Sequence, residues 1–274
     1  MFILLQTVSA GKGFFRRKRN TQKINSSPLE TCRTKGGLPF YIARVCFGKH
    51  GINWAAVSKK CGRRASKIVA PRNIDIPDSS GFVRYIPKNF GSLLLFNSAV
   101  NLLEEAKVEP QKMCITVCDR NGIMAEKLNK LPPYASVIRV VTASPERYAA
   151  ACYRAYDEFG AVPVIRSTYE PTDKKELIIA CDGYFSPLMK SSAIVTGRNI
   201  SAGKLRIKYS GITLKEEHSA LLPENTEAVD FAGALTELCI CSDYIKSSYE
   251  SAEIRGADIQ HSSPAEAFRE YVKG

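Results

Sequence analysis

From residue 110 onward the sequence alternates between short apolar runs and amphipathic stretches, and this alternation limits the possible folds more than any other feature. Apolar runs that indicate buried strands lie at 113–118, 136–141, 162–166 and 177–181. Helical patterns separate the first three of them, at 122–131 and 144–159. Strand–helix–strand units of this spacing form parallel sheets with right-handed crossovers. We therefore predict one parallel sheet in which the first and last of these strands are neighbours.

The remaining elements follow from the same periodicities and from turn residues. Further strands are expected at 1–8, 38–47, 82–86, 193–196 and 205–214, and further helices at 53–69, 92–107, 225–241 and 265–272. Residues 9–37 are polar, basic and punctuated by glycine, which predicts a loop or a long hairpin. The fold class is α/β. A Rossmann-like doubly wound parallel sheet is expected at 92–242, a smaller basic N-terminal α/β region at 1–91, and a C-terminal tail with a short helix at 243–274.

The positive charge of the chain is confined to its first quarter. Residues 1–75 contain 16 of the 39 lysines and arginines but two of the 27 acidic residues, so the net charge of +12 originates there. Such asymmetry indicates contact with a polyanion such as nucleic acid, or else a solvated basic face that aids solubility. The candidate contacts are Arg16, Arg17, Lys18, Arg19, Lys60, Arg63 and Arg64.

The cysteines and the apolar runs bear on location. Nine scattered cysteines, an odd number, are typical of reduced thiols in a reducing compartment, and we expect a cytoplasmic protein. The apolar stretch at 1–8 is too short for a signal sequence, and no apolar run is long enough to span a bilayer. No cysteine or histidine spacing fits a metal site, so none is expected.

Residues 93–197 resemble the NAD(P)-binding domain of shikimate dehydrogenase and glutamyl-tRNA reductase. A lead-in helix at 97–107 precedes the strand at 114–118, and the run 140–147 (VVTASPER) stands where those families have the turn and helix after the second strand. The run 178–183 (IIACDG) stands where they have a strand that leads into a glycine turn. The resemblance implies that Thr142, Ser144 and Arg147 hold the ribose phosphate of NADP.

The chain also departs from those families. The dinucleotide fingerprint would fall on 119–124 (DRNGIM), where none of its three glycines is in place and Asp119 adds a negative charge. We therefore expect that any dinucleotide bound is NADP and that NAD binds negligibly. The families' catalytic lysine–aspartate pair and nucleophilic cysteine have no counterpart here, so catalytic residues stay unknown.

The residues themselves indicate another site. Asp119 and Asp182 each follow a cysteine at the carboxyl end of a predicted parallel strand. If those strands are neighbours, both carboxylates lie at the crevice where the strand order reverses, which is where open α/β sheets bind ligands. Asn121, Gly122 and Gly183 would line the same rim. The alternative is that each aspartate caps the turn that follows it.

Two functions therefore stay open at the level of sequence. The first is a divergent Rossmann-fold protein that binds a nucleotide or small polar metabolite at this crevice and that could be a relative of NADP-linked oxidoreductases. The second is a non-enzymatic protein that binds nucleic acid or another polyanion through its basic N-terminal region.

Overall fold

The computed structural model describes residues 1–8, 14–33, 37–48, 51–181, 186–196, 203–208, 212, 214, 216–239, 253–254 and 263–274. Among these residues the strands are β1 (Ile3–Val8), β2 (Glu30–Cys32), β3 (Phe40–Cys46), β4 (Lys67–Val69), β5 (Val83–Arg84), β6 (Met113–Cys118), β7 (Val137–Val141), β8 (Val164–Arg166), β9 (Lys175–Ala180), β10 (Ala193–Thr196), β11 (Leu205–Lys208) and β12 (Glu253–Ile254). The α-helices are α1 (Phe14–Ser26), α2 (Trp54–Cys61), α3 (Phe90–Ala106), α4 (Ala149–Phe159), α5 (Glu216–Ser219), α6 (Ala228–Cys239) and α7 (Pro264–Lys273).

The chain folds as two units. The first consists of Met1–Phe90 and Ile212–Ser248, and the second of Gly91–Gly211 and Tyr249–Gly274. The division after Phe90 lies next to the boundary expected from the sequence. The C-terminal part divides differently, because α6, which the sequence analysis assigned to the Rossmann-like domain, belongs to the first unit.

The sheet of the first unit has the strand order β2-β3-β1-β4-β5. β3, β1, β4 and β5 are parallel, and β2 pairs antiparallel with β3. Along β1 the side chains alternate between two cores, which explains its continuous apolar sequence. Ile3 and Leu5 pack with Val57 of α2, whereas Leu4 packs with Phe231 of α6.

The loop or hairpin expected at 9–37 is wrong, because helix α1 and strand β2 occupy most of this segment. α1 packs against β3 and α2. Its half-buried positions include Asn20, Thr21, Ile24 and Asn25, which are mostly polar. The Asn25 Oδ1 atom accepts a hydrogen bond from the Cys46 amide at 3.1 Å. A helix whose inner face binds through polar groups leaves little apolar periodicity in the sequence.

The helix expected at 53–69 is also shorter than predicted. α2 begins after Asn53, whose side chain accepts a hydrogen bond from the Ala56 amide, and it ends at Gly62 with φ +57°. Ile68, which the helical stripe included, lies on β4 instead. It points into the same core as Cys61, so burial on a strand produced the apparent helical spacing.

The parallel sheet predicted for the second unit is confirmed. Its strand order is β12-β11-β10-β9-β6-β7-β8, in which β6 to β11 are parallel and β12 pairs antiparallel with β11. β9 lies beside β6, as predicted for the last and first of the four strands. This unit therefore has a Rossmann-like α/β fold with helices beside a parallel sheet.

The crossover from β6 to β7 differs from the prediction. The α-helix expected at 122–131 is absent, and a six-residue 3-10 helix, Ala125–Lys130, takes its place before Pro132. After β7 the chain forms a 3-10 turn, Pro145–Tyr148, and then α4, which ends at Gly160 in the left-handed conformation. The strand expected at 205–214 is described only as β11, which ends at Lys208.

Two further observations concern the described part of the chain. No helix in it is both long and apolar enough to cross a bilayer. No disulfide joins any two of the eight cysteines that it contains.

Candidate functional site

The switch point of the second sheet lies between the carboxyl ends of β6 and β9. Cys118 at the end of β6 stands opposite Ala180 of β9, so the expected neighbouring strands are present. Asp119 follows β6 directly. Asp182 and Gly183 lie outside the described residues, so the pairing of the two carboxylates stays a prediction.

The Asp119 carboxylate is held inside the turn that follows β6. Its side chain is 1% exposed, and its Oδ2 atom accepts hydrogen bonds from the Met124 amide and the Tyr148 hydroxyl, both at 2.6 Å. The Oδ1 atom is buried and has no hydrogen-bond partner. Asp119 thus closes the 119–124 turn, as in the capping alternative, and keeps one buried acceptor unused.

The next two candidate residues lie on the same turn. Gly122 is buried with φ +67°, and its amide donates to the Asp119 carbonyl at 3.2 Å. A Cβ at this position would lie 2.6 Å from Cδ of Arg147, so the aliphatic stem of Arg147 covers Gly122. Asn121 is exposed. In the dinucleotide fingerprint a glycine of this turn lets a phosphate approach the backbone. Here the Arg147 side chain occupies that place.

Thr142 and Ser144 lie at the end of β7. The Thr142 hydroxyl donates to the Arg120 carbonyl at 3.3 Å and accepts from the Ser144 amide at 3.1 Å. Thr142 is buried, so its hydroxyl ties the two turns together and is not free for a ligand. Arg147 is exposed and follows Ser144 on the 3-10 turn.

The residues at this edge do not fit the pyrophosphate of a dinucleotide. A dinucleotide places its pyrophosphate at the N-terminus of the first crossover helix, where free amides and the helix dipole bind it. The first crossover here holds a short 3-10 helix, and the Met124 amide already binds the Asp119 carboxylate. A phosphate at this place would meet a buried carboxylate.

A buried polar network that the sequence analysis missed lies in the same sheet, around the amino end of β9. Glu176, near the start of β9, is 2% exposed, and its carboxylate accepts hydrogen bonds from the hydroxyls of Thr116, Tyr169 and Ser192. Arg139 Nη1 lies 3.7 Å from Glu176 Oε1. Burial and the Glu176 hydrogen bond raise the pKa of Tyr169. The only signal in the sequence is one charged residue at the start of an apolar run.

The first unit brings the two basic clusters of the sequence together. α1 and α2 lie side by side on one face of its sheet, and we call α1, α2 and the following segment 62–67 the basic layer. Its exposed basic residues include Arg19, Lys23, Lys59, Arg63, Arg64 and Lys67. Glu30 is the only acidic residue that precedes Asp75 in the sequence. Of the predicted contacts, Arg16, Arg17 and Lys18 lie on α1, but their side chains are not among those described.

Lys60 differs from its predicted role. Its ammonium donates to the carbonyls of Arg44 and Ile24, at 2.7 and 3.2 Å, and to the Ser27 hydroxyl at 3.3 Å. Burial lowers the pKa of this ammonium. Lys60 therefore joins the end of α1 to α2 and β3, and its charge is engaged within the fold.

A pocket of about 600 Å³ lies at the amino end of β4, beside the end of α2. Arg63, Arg64 and Lys67 line it, together with the hydroxyl-bearing Ser58 and Ser66. No acidic side chain lines it. We call this the Arg63 pocket. The sequence analysis found Arg63 and Arg64 but had no means to predict the cavity, because it placed residues 53–69 on one helix.

A second pocket, of about 560 Å³, lies at the carboxyl ends of β4 and β5 and has a mixed charge. Arg72 and Arg84 line it together with Asp75 and Asp78. The Arg84 guanidinium donates to the carbonyls of Ala70, Pro71 and Ile74, so it is engaged within the fold. No three His, Cys, Asp or Glu side chains in the described ranges are grouped as a metal site would require.

The protein is thus a two-unit α/β protein. Its second unit has a Rossmann-like fold, and its first unit carries the basic layer. Comparison of the chain with protein families, with curated proteins and with solved structures found no match.

Proposed function

We propose that the protein binds nucleic acid through the basic layer of its first unit. The observation that carries this proposal is the position of α1 beside α2 on one face of the sheet. The two densest basic clusters, at 16–19 and 59–67, are 40 residues apart in sequence and are thereby placed on one surface. Arrays of lysine and arginine on one face bind phosphate backbones by displacing condensed counterions.

The charges of the layer are available for a partner. Arg19, Lys23, Arg63 and Arg64 are exposed and form no ion pair with a described residue. Other arginines of the same unit do pair with acids: Arg44 with Glu30 at 2.7 Å, for example. A basic surface that served only solubility would tolerate acidic residues among its lysines and arginines, and this long segment has almost none.

The first turn of α1 contains no acidic residue. The partial positive charge at the N-terminus of a helix favours a negative group. An anion such as a phosphate, bound at this end, would supply the charge that the sequence of the helix does not.

The proposal is tested by fluorescence anisotropy with labelled single-stranded DNA, single-stranded RNA and duplex DNA at low salt. We expect the wild type to bind all three, and Arg19→Ala/Lys23→Ala to bind each of them at least several-fold more weakly. Lys190→Ala/Arg269→Ala is the matched control, since it removes the same charge from exposed positions of the second unit. Equal affinity of the two variants, or no binding by the wild type, would contradict the proposal.

A second candidate function is the binding of a small polar ligand at the switch point, favoured by the unused acceptor Asp119 Oδ1. The Arg147 stem covers Gly122 on the same turn, so a ligand that approached the turn at Gly122 would need to displace it. Native mass spectrometry of freshly purified wild type and Asp119→Asn tests this. A bound mass that is present in the wild type and lost in the variant supports it, and a bare protein in both contradicts it.

A further inference from the structure

The Arg63 pocket differs from the rest of the basic layer because it is concave. Three basic side chains line one cavity of about 600 Å³ without any acidic neighbour. The second pocket, at the carboxyl ends of β4 and β5, is lined by two aspartates as well as by arginines. Every charged side chain that lines the Arg63 pocket is therefore positive. The electrostatic potential inside the pocket favours the most highly charged anion that fits.

The pocket belongs to the basic layer. Segment 62–67 of the layer supplies Arg63, Arg64 and Lys67 to its wall. Lys60 of α2 binds the Ile24 carbonyl, so the last turn of α1 lies against the helix that leads into this segment. Lys23 of α1 is next to that contact in sequence, and Arg19 is one helical turn further back. A strand bound by the layer would therefore lie beside the pocket.

The end of a strand can carry more charge than its interior. A phosphodiester inside the strand has a single negative charge, whereas a phosphate monoester has about −1.5 to −2 near neutral pH and three terminal oxygens. Arginine forks bind such oxygens in pairs, and the hydroxyls of Ser58 and Ser66 add short polar groups to the wall. Gly62 and Gly81 leave open space where side chains would otherwise narrow the cavity.

We propose that the Arg63 pocket binds the terminal phosphate monoester of a nucleic acid strand that the basic layer holds. This inference rests on the proposed function and adds that the protein prefers phosphorylated ends. The chemistry required is a phosphate monoester dianion, which a strand end or a free mononucleotide could supply, and we assign it to the strand end.

The test compares three forms of one oligonucleotide of about 12 residues: 5′-phosphorylated, 3′-phosphorylated and with hydroxyls at both ends. Binding is followed by the anisotropy of an internal fluorophore at about 100 mM salt. We expect one phosphorylated form to bind the wild type about tenfold more tightly than the hydroxyl form, which is a typical gain from added charge-assisted hydrogen bonds. The preference should shrink as the pH falls below about 6, because the monoester then loses its second charge.

Arg63→Ala/Arg64→Ala should abolish the preference while it still binds the hydroxyl form through α1. Lys190→Ala/Arg269→Ala should keep the preference in full. Equal affinity of the wild type for all three forms would overturn the inference and leave the proposed function standing, whereas no binding of any form would overturn both. If AMP displaced the phosphorylated strand at a concentration near that strand's own Kd, the assignment to a strand end would be wrong.

If the arginines of the pocket serve only the C-terminus of α2, their replacement would lower the melting temperature and leave the preference unchanged. The inference is overturned by that result as well. Melting temperatures of both double variants are therefore measured together with the affinities.

Discussion

The Lys60 ammonium lies 3.2 Å from the carbonyl oxygen of Ile24, and this contact joins the last turn of α1 to α2. The same ammonium also donates to the Arg44 carbonyl of β3 at 2.7 Å. A charged residue that the sequence assigns to a binding surface is thus a structural element of that surface. The basic layer depends on it, because it fixes α1 against the neighbouring helix and strand.

Lys60 and its neighbour Lys59 should respond differently to the same substitution. Lys60→Met leaves three acceptors without their donor and should lower the free energy of unfolding by on the order of 1–3 kcal/mol. Lys59→Met removes an exposed charge and should leave stability nearly unchanged while it weakens nucleic acid binding. Urea denaturation and anisotropy measured on both variants check this, and equal stability losses would contradict it.

Asp119 should prove to be a stabilising residue. Asp119→Ala removes the carboxylate that accepts from the Met124 amide and the Tyr148 hydroxyl in the interior, which should cost on the order of 2–4 kcal/mol. Asp119→Asn keeps an acceptor oxygen and should cost less. If the carboxylate served a ligand alone, Asp119→Ala would unfold at the same urea concentration as the wild type or a higher one.

Gly122 is predicted to tolerate alanine less well than Gly81. Both have a positive φ, so Gly→Ala introduces backbone strain of about 1–2 kcal/mol at either position. At Gly81 the new Cβ meets nothing within 4 Å, whereas at Gly122 it would lie 2.6 Å from Cδ of Arg147. Gly122→Ala should therefore have the lower melting temperature. Equal melting temperatures would show that the Arg147 stem does not cover this glycine.

Stability should fall at alkaline pH, in part through Tyr169. Its folded-state pKa is raised above the ordinary value of about 10 by burial and by Glu176, so its contribution is complete below pH 10 and is lost as the pH rises above it. Tyr169→Phe lacks that contribution. Urea unfolding as a function of pH should show a shallower alkaline loss in Tyr169→Phe than in the wild type, and parallel curves would contradict this.

The sequence predicted the elements whose burial is regular and missed those held by polar groups. β6, β7 and β9 are largely apolar because both faces are covered, so their pattern was sufficient to predict their parallel arrangement. α1 was missed because residues such as Asn25 bind it to β3 through hydrogen bonds. Asp119 was located correctly at the switch point, but its partner Tyr148 could not be inferred because the contact joins residues 29 positions apart.

The basic layer shows the same limit. Composition alone located the positive charge in the first quarter of the chain. Whether Lys60 or Arg63 faces solvent depends on where α2 ends and on what packs against it, and neither follows from the count of charges. The Arg63 pocket arises because the chain leaves the helix at Gly62 and enters β4 at Lys67.

The salt dependence of binding tests the central claim most directly. The logarithm of the association constant for a single-stranded oligonucleotide, plotted against the logarithm of salt concentration, has a slope of about −0.7 for each phosphate contact. Contacts from Arg19, Lys23, Arg63 and Arg64 predict a slope of about −3 for the wild type, and loss of two of them predicts about −1.4 for Arg63→Ala/Arg64→Ala. A wild-type slope near zero, or an identical slope in that variant and in Lys190→Ala/Arg269→Ala, would show that the basic layer does not bind nucleic acid.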